Sequence, residues 1–120
     1  MLGRGLGWPE GAFSALAGFV EPGESIEEGV AREVLEESGV KVRDVSYIAS
    51  QPWPFPSQLM IGLICQTEET KLTINPDELE TAKWFSKDEV QAVFNKTGDA
   101  FLRPPRFTIA HHLLRHWLSE

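Results

Sequence analysis

The sequence predicts a single α/β layered domain. Three observations lead there. Residues 25–38 carry start and stop signals for a helix with an apolar stripe between them. "LMIGLICQT", residues 59–67, is a continuous apolar run bounded by polar residues, as a buried strand would be. Downstream, "TAKWFS" leads into "SKDEVQAVFN", repeating a strand-then-helix order.

The elements follow in order. Residues 1–23 are rich in Gly and Pro, with short apolar pieces such as "FSALAGFV". Ser25 and Glu28 form a capping box that closes two orphan donors at the helix start. Ile26, Val30, Ala31, Val34 and Leu35 make one apolar stripe. Gly39 stands where a left-handed terminating residue is wanted. Residues 40–50 alternate enough for a strand or two, and residues 67–80 read as a polar connection. In "LMIGLICQT", Gly62 permits a close approach or a bulge. Ser86 and Glu89 form a second capping box before Val90, Val93 and Phe94. A last amphipathic helix covers about residues 107–118, with Ile109, Leu113 and Trp117 on one stripe.

Bulk numbers narrow the function. A chain of 120 residues suffices for one core. No apolar run approaches the roughly 18–20 residues that span a bilayer, and the start lacks a secretory pattern. The expectation is an intracellular chain with no membrane partner, its compartment (cytoplasm, mitochondrion or peroxisome) left open. The lone Cys65 excludes an internal disulfide and any zinc site built on several thiolates; it reads as an apolar filler. A formal net charge of −7 argues against a general nucleic-acid surface. An anionic substrate would need a cationic mediator, and a divalent metal is the obvious one.

The helix at 25–38 carries more than its stripe. Glu33, Glu36 and Glu37 share one face within one turn. Such crowding raises proton affinity and costs helix stability. Arg32 can pair with Glu36, but one arginine does not neutralise three acids. The bland reading is a solvated acidic face; the sharper one is magnesium, which takes hard oxygen ligands beside substrate phosphates.

The spacing decides between them. "GFVEPGESIEEGVAREVLEESGV" runs Gly18, five residues, Glu24, seven residues, then Arg32, Glu33, Val34, any residue, Glu36, Glu37, any residue, Gly39, Val40. This resembles the Nudix hydrolases, with every fixed position of their signature present. The resemblance implies an α/β/α sandwich around a mixed sheet. It also implies Mg²⁺- or Mn²⁺-dependent hydrolysis of a nucleoside diphosphate linked to another group. Glu33, Glu36 and Glu37 would be the catalytic and metal-holding set, with ligand and general base not separated. Gly18, Glu24, Arg32 and Gly39 would be structural, Arg32 orienting the carboxylates by pairing with Glu24. Val34 and Leu35 would anchor the helix to the sheet.

"SQPWPFPSQLM", residues 50–60, places prolines at alternate positions with Trp53 and Phe55 between them. Prolines fit poorly inside a paired strand but lower the entropy lost on ordering. The two rings would project to one side of an extended backbone, to stack with a base, pack at a subunit interface or fill the core. The segment resembles the hallmark of the NADH pyrophosphatase, or NAD-cap RNA decapping, subgroup. Its closing serine is displaced: Ser57 comes early and Gln58 takes its place. The resemblance implies hydrolysis of NADH or NAD⁺ to the nicotinamide mononucleotide and AMP, with removal of NAD caps from RNA 5′ ends as a further activity, and a homodimer. It implies a substrate surface of Phe19, Gln51, Pro52, Trp53, Pro54, Phe55, Pro56, Ser57, Gln58 and Ala110. The Ala17 carbonyl and Glu78 would join the metal shell, with Glu80 competing for the latter place. ADP-ribose hydrolysis and a catalytically silent binding module are the alternatives.

His111, His112 and His116 read as ordinary helix residues rather than a metal site. Members of this subgroup usually carry an N-terminal domain and a four-cysteine zinc ribbon. No such cysteines occur here, so no zinc is expected. The first central strand expected upstream of "LGRG" is absent too, so the chain looks N-terminally shortened.

Overall fold

The capping signals of the first helix are realised in the computed structural model, which describes residues 1–55 and 57–120. Helix α1 is Ile26–Ser38. The Ser25 hydroxyl accepts the Glu28 N–H at 3.1 Å and the Glu28 carboxylate accepts the Ser25 N–H at 3.0 Å. Gly39 ends the helix at φ 75°, a conformation costly for any residue with a Cβ. The second capping box, Ser86 with Glu89, starts α2, Lys87–Phe94. Helix α3, Ile109–Leu118, begins two residues later than its periodicity predicts, because the Thr108 side chain caps it by accepting the His111 N–H. Among the described residues, no helix is long and apolar enough to cross a membrane.

Among the described residues, four strands complete the α/β fold: β1 Leu2–Gly5, β2 Arg43–Trp53, β3 Gln58–Gln66 and β4 Leu79–Lys83. They form two antiparallel pairs, β1 with β4 and β2 with β3. Gly3 exchanges two 2.9 Å backbone hydrogen bonds with Ser14, so β1 lies between β4 and the 12–14 segment. That segment in turn meets Leu102, whose N–H reaches the Gly11 carbonyl at 2.8 Å. Leu2, Phe13, Val90, Val93, Phe101 and Leu114 bury together as the core, drawing β1, α2 and α3 onto one another. Phe85 packs edge-on against Phe13 and Phe101 at 5.4 and 5.0 Å, within the range of favourable aromatic pairs.

Three expectations are modified. The apolar run of β3 is half-buried rather than buried, and Leu59 is 64% exposed. α3 packs on this pair, and Gly62 is pressed so close to Ile109 and Leu113 that a Cβ there would collide with both. Leu35 is 45% exposed and so is a poor anchor for α1; the deepest side chains of that helix are Glu37 and Ser38. Finally, Gln51, Pro52 and Trp53 lie inside strand β2, opposite Met60, Leu59 and Gln58. Among the described residues β2 pairs with β3 alone, so it is an edge strand, the setting in which a proline such as Pro52 is tolerated.

Candidate active site

Arg32 organises the loop–helix junction. Its Nε and one terminal nitrogen grip both oxygens of Glu24 at 2.7 and 3.0 Å, a bidentate fork. The same guanidinium donates to the Phe19 carbonyl at 2.9 Å, to Glu33 at 3.0 Å and to Glu36 at 3.2 Å. Glu21 lies 3.7 Å away. The Arg32 hydrogen bond, reinforced by the Glu21 N–H, lowers the Glu24 carboxyl to about 2. Arg32 itself is shifted upward by Glu24.

Glu37 is in a different state. It is 3% exposed, and its Oε2 has no hydrogen-bond partner among the described residues. Burial first, then hydrogen bonding and charge from Glu33, then the charges of Glu78 and Glu36, push its carboxyl up to about 8. Gly18 presses so closely on the Glu33 carboxyl that a Cβ there would overlap it. Glu36 faces outward, its side chain 55% exposed beside Arg32. Of the three glutamates on the helix face, Glu33 and Glu37 therefore meet each other, while Glu33 and Glu36 both reach the arginine.

Glu37 opens onto a cleft of about 140 Å³, lined also by Gly3, Gly5, Trp8, Ala17 and Glu78. Ala17 and Glu78 thus share the cleft with Glu37. Glu80 instead accepts the Gly7 N–H at 3.4 Å, so Glu78 is the better placed of the two candidates. Asn75 brings Glu78 there. Its N–H takes the Glu37 carbonyl at 3.0 Å, its own carbonyl accepts the Glu78 and Leu79 N–H groups, and its side chain closes on the Asp77 N–H. The "NPD" tripeptide was the available signal for that turn. Trp8 was also missed. Its ring covers Gly5, where a Cβ would strike the indole, and the Arg4 guanidinium holds its carbonyl at 2.8 Å.

The proline segment sits elsewhere, against α3. The Gln51 amide donates to the Phe107 carbonyl at 2.6 Å and accepts the Ile109 N–H at 3.0 Å. Trp53 stacks on Phe107 with centroids 6.4 Å apart and planes 10° from parallel. Phe55 is 81% exposed, and Pro54 and Ser57 are exposed with it. Gln58 pairs with Trp53. Pro56 lies outside the described residues. Phe19 is 72% exposed. Ala110 lines a second cavity of about 260 Å³, which shares Trp8 with the cleft. His111 is buried, stacked on Phe94 at 4.9 Å, while His112 is exposed and His116 lies 3.9 Å from Glu120.

Among the described residues, no three or more His, Cys, Asp or Glu side chains are gathered tightly enough to hold a metal ion by themselves. The donor set nevertheless fits a hard cation. One guanidinium serves four carboxylates, Glu37 keeps a buried oxygen without a partner among the described residues, and burial together with the neighbouring acids Glu33, Glu78 and Glu36 raises its proton affinity, a cost that a cation would offset.

The NUDIX domain family matches residues 3–105. The chain belongs to that family. The human "NAD-capped RNA hydrolase NUDT12" is 50% identical over 98% of this Nudix chain and 26% of its own length. The mouse "NAD(P)H pyrophosphatase NUDT13, mitochondrial" is 44% identical over 99% of the chain and 37% of its own length. The "NAD-capped RNA hydrolase NudC" of Mycobacterium bovis is 42% identical over 99% of the chain and 40% of its own length. The Nudix chain thus spans between about a quarter and two fifths of these relatives.

Proposed function

We propose that this Nudix domain hydrolyses the diphosphate of NADH and NAD⁺, giving the nicotinamide mononucleotide and AMP, and opens the same bond in NAD-capped RNA. The observation that carries the hydrolytic reading is Glu37: a buried carboxyl beside Glu33, with an unpartnered oxygen, on a cleft shared with Ala17 and Glu78. The dinucleotide reading is supported by the SQPWPFP segment and by what the relatives' names say of them.

Glu33 and Glu37, with the Ala17 carbonyl, Glu78 and the nearby Glu36, would hold Mg²⁺ or Mn²⁺. Bound there, the cation would neutralise the diphosphate and acidify water. The chain's own residues do the rest. Arg32 fixes Glu33 and the Phe19 carbonyl, so the carboxylates and the loop before the helix keep one geometry. A carboxylate of the set takes the proton of the attacking water. Water oxygen bonds to phosphorus, the bridging P–O bond breaks, and each product leaves with one phosphate. The exposed Phe19, in the loop before the helix, offers a ring face for a base. A homodimer through the β2–β3 pair is part of the proposal, since Tyr47 and Leu59 there are 60% and 64% exposed.

The test is to incubate the folded protein with Mg²⁺ or Mn²⁺ and NADH, NAD⁺, ADP-ribose or an NAD-capped oligonucleotide, then separate the products. AMP from NADH is expected. Faster turnover of ADP-ribose than of every nicotinamide substrate would replace the proposal with the alternative activity. Light scattering reads the association state.

A further inference from the structure

Helix α1 ends against a segment that lies far off in sequence. The last carbonyls of a helix have no donor within it and need one from outside. Thr73 and Asn75 supply two. The Thr73 N–H reaches the Ser38 carbonyl at 2.8 Å, and the Asn75 N–H reaches the Glu37 carbonyl at 3.0 Å.

Asn75 then reverses the chain. Its carbonyl accepts the Glu78 and Leu79 N–H groups, each at 3.1 Å, and its side-chain Oδ1 accepts the Asp77 N–H at 3.1 Å. Pro76, with its φ preset, suits the second position of such a turn. Leu79 opens β4, buried and opposite Gly5. Glu78 is thus held from both sides, by the turn before it and the strand after it. It shares one cleft with Glu37, Gly5 and Ala17.

The bonds of Asn75 divide into two kinds. Its backbone N–H and carbonyl would be offered by any residue but proline. The acceptor for Asp77 comes from the side chain, and only a short side chain with an oxygen at that place closes the turn: Asn, Asp, and more weakly Ser or Thr. Among the described residues that is the one hydrogen bond the Asn75 side chain makes, and Asn75 does not line the cleft. What asparagine adds here is the placing of Glu78.

We propose that Asn75 is a positioning residue, which sets Glu78 against Glu37 so that both carboxylates reach one divalent cation. The proposal rests on the metal-assisted reading above and deepens it. Asn75 touches neither substrate nor cation; it acts through Glu78.

Calorimetry with Mn²⁺ and no substrate tests this apart from turnover. Asn75→Ala is expected to weaken Mn²⁺ binding about tenfold, the lower end of what is lost when a group that orients a metal ligand is removed. Asn75→Asp keeps the acceptor and is expected to keep most of the affinity. In a Glu78→Gln background the positioned carboxylate is already gone, and Asn75→Ala is expected to cost nothing further. A turn that served the fold alone would lower the melting midpoint in both backgrounds and leave Mn²⁺ affinity unmoved. Asn75→Ser, whose hydroxyl closes such turns more weakly, carries the comparison if Asn75→Ala does not fold. Unchanged Mn²⁺ affinity in Asn75→Ala and Asn75→Ser overturns the proposal. So does an equal loss with and without the Glu78 carboxylate, a loss in Asn75→Asp as large as in Asn75→Ala, or a Glu78→Gln variant that binds Mn²⁺ as the unmodified protein does. Failure of the functional reading looks different: the unmodified protein binds Mn²⁺ but releases no AMP from NADH.

Discussion

The two ends of the molecule treat their polar groups in opposite ways. Around Gln51 and the start of α3, needs are met internally: one amide satisfies a carbonyl and an N–H, and Trp53 rests on Phe107. Around α1, needs are left open: Glu37 is buried with an oxygen unpartnered, and one arginine serves four acids. A folded chain normally avoids the second arrangement, because a buried polar atom without a partner costs about 1–3 kcal/mol. The contrast teaches which region is scaffold and which awaits a ligand. Substitutions at the closed end should weaken the fold; substitutions at the open end should remove chemistry and relieve strain.

The largest effect is expected at Glu37. Glu37→Gln keeps the shape but removes the charge that would hold a cation. Turnover of NADH at saturating Mg²⁺ is predicted to fall by about a hundredfold or more, the scale of several kcal/mol in a metal-assisted step. The metal-free variant should melt no lower than the parent. Unchanged turnover would remove Glu37 from the set and blur the contrast between the ends.

The same residue predicts a pH dependence. Its folded carboxyl is raised to about 8, above the 4.5 of the unfolded chain. Protons are therefore held more tightly in the folded state. The stability this contributes is full below about pH 4.5 and is lost as pH rises through 8. Metal-free protein should thus weaken in urea between pH 5 and pH 9. Mg²⁺ should restore stability most at the alkaline end, and Glu37→Gln should flatten the profile. A parent profile as flat as the variant's would contradict the buried-acid assignment.

Arg32 tests the link between the ends of the loop. Arg32→Lys retains charge but cannot grip both Glu24 oxygens and the Phe19 carbonyl at once. Melting temperature and turnover should both drop, with added Mg²⁺ recovering stability better than turnover.

How much of this was legible in the sequence follows from the range of each interaction. Both capping boxes and the Gly39 stop are local, set by residues three or four apart, and they were read correctly. The Arg32–Glu24 pair is present where the family spacing placed it, eight residues apart across one loop. Burial was read less well. The apolar stripe of α1 promised an anchor at Leu35, yet the helix buries Glu37 instead, because Asn75 and Thr73 pin the segment 73–75 to its last turn. The Asn75 turn carried a local signal in its NPD tripeptide, but its grip on Glu37, 38 positions away, did not, and the place of Trp8 on the cleft beside Glu37 and Glu78 is likewise set by the tertiary fold. β3 looked fully buried because an apolar run does not say how many of its faces are covered.

Gln51→Leu should cost about 1–3 kcal/mol by leaving the part-buried Ile109 N–H without its acceptor. Denaturant midpoint is the readout. A loss of that size with Trp53 fluorescence shifted would place Gln51 in the scaffold, whatever it also does for substrate.

The smallest effect, and the sharpest test of the contrast, concerns Trp53. The sequence reading has it stacking on a base, worth roughly 1–3 kcal/mol in single-stranded nucleic-acid complexes. In the structure one of its faces is turned to Phe107. Such aromatic pairs contribute about 0.5–1.5 kcal/mol beyond burial. A double-mutant cycle separates the two uses. If Trp53 belongs to the closed end, Trp53→Ala and Phe107→Ala each lower stability by about 1 kcal/mol, and the double variant loses less than their sum. The Michaelis constant for NADH then rises no more than that for a smaller diphosphate. If the free face reads the dinucleotide, Trp53→Ala raises the NADH constant selectively while Phe107→Ala does not. We predict the coupled stability loss together with a rise in the NADH constant below tenfold, because a ring already fixed by one neighbour has only its second face to offer a base.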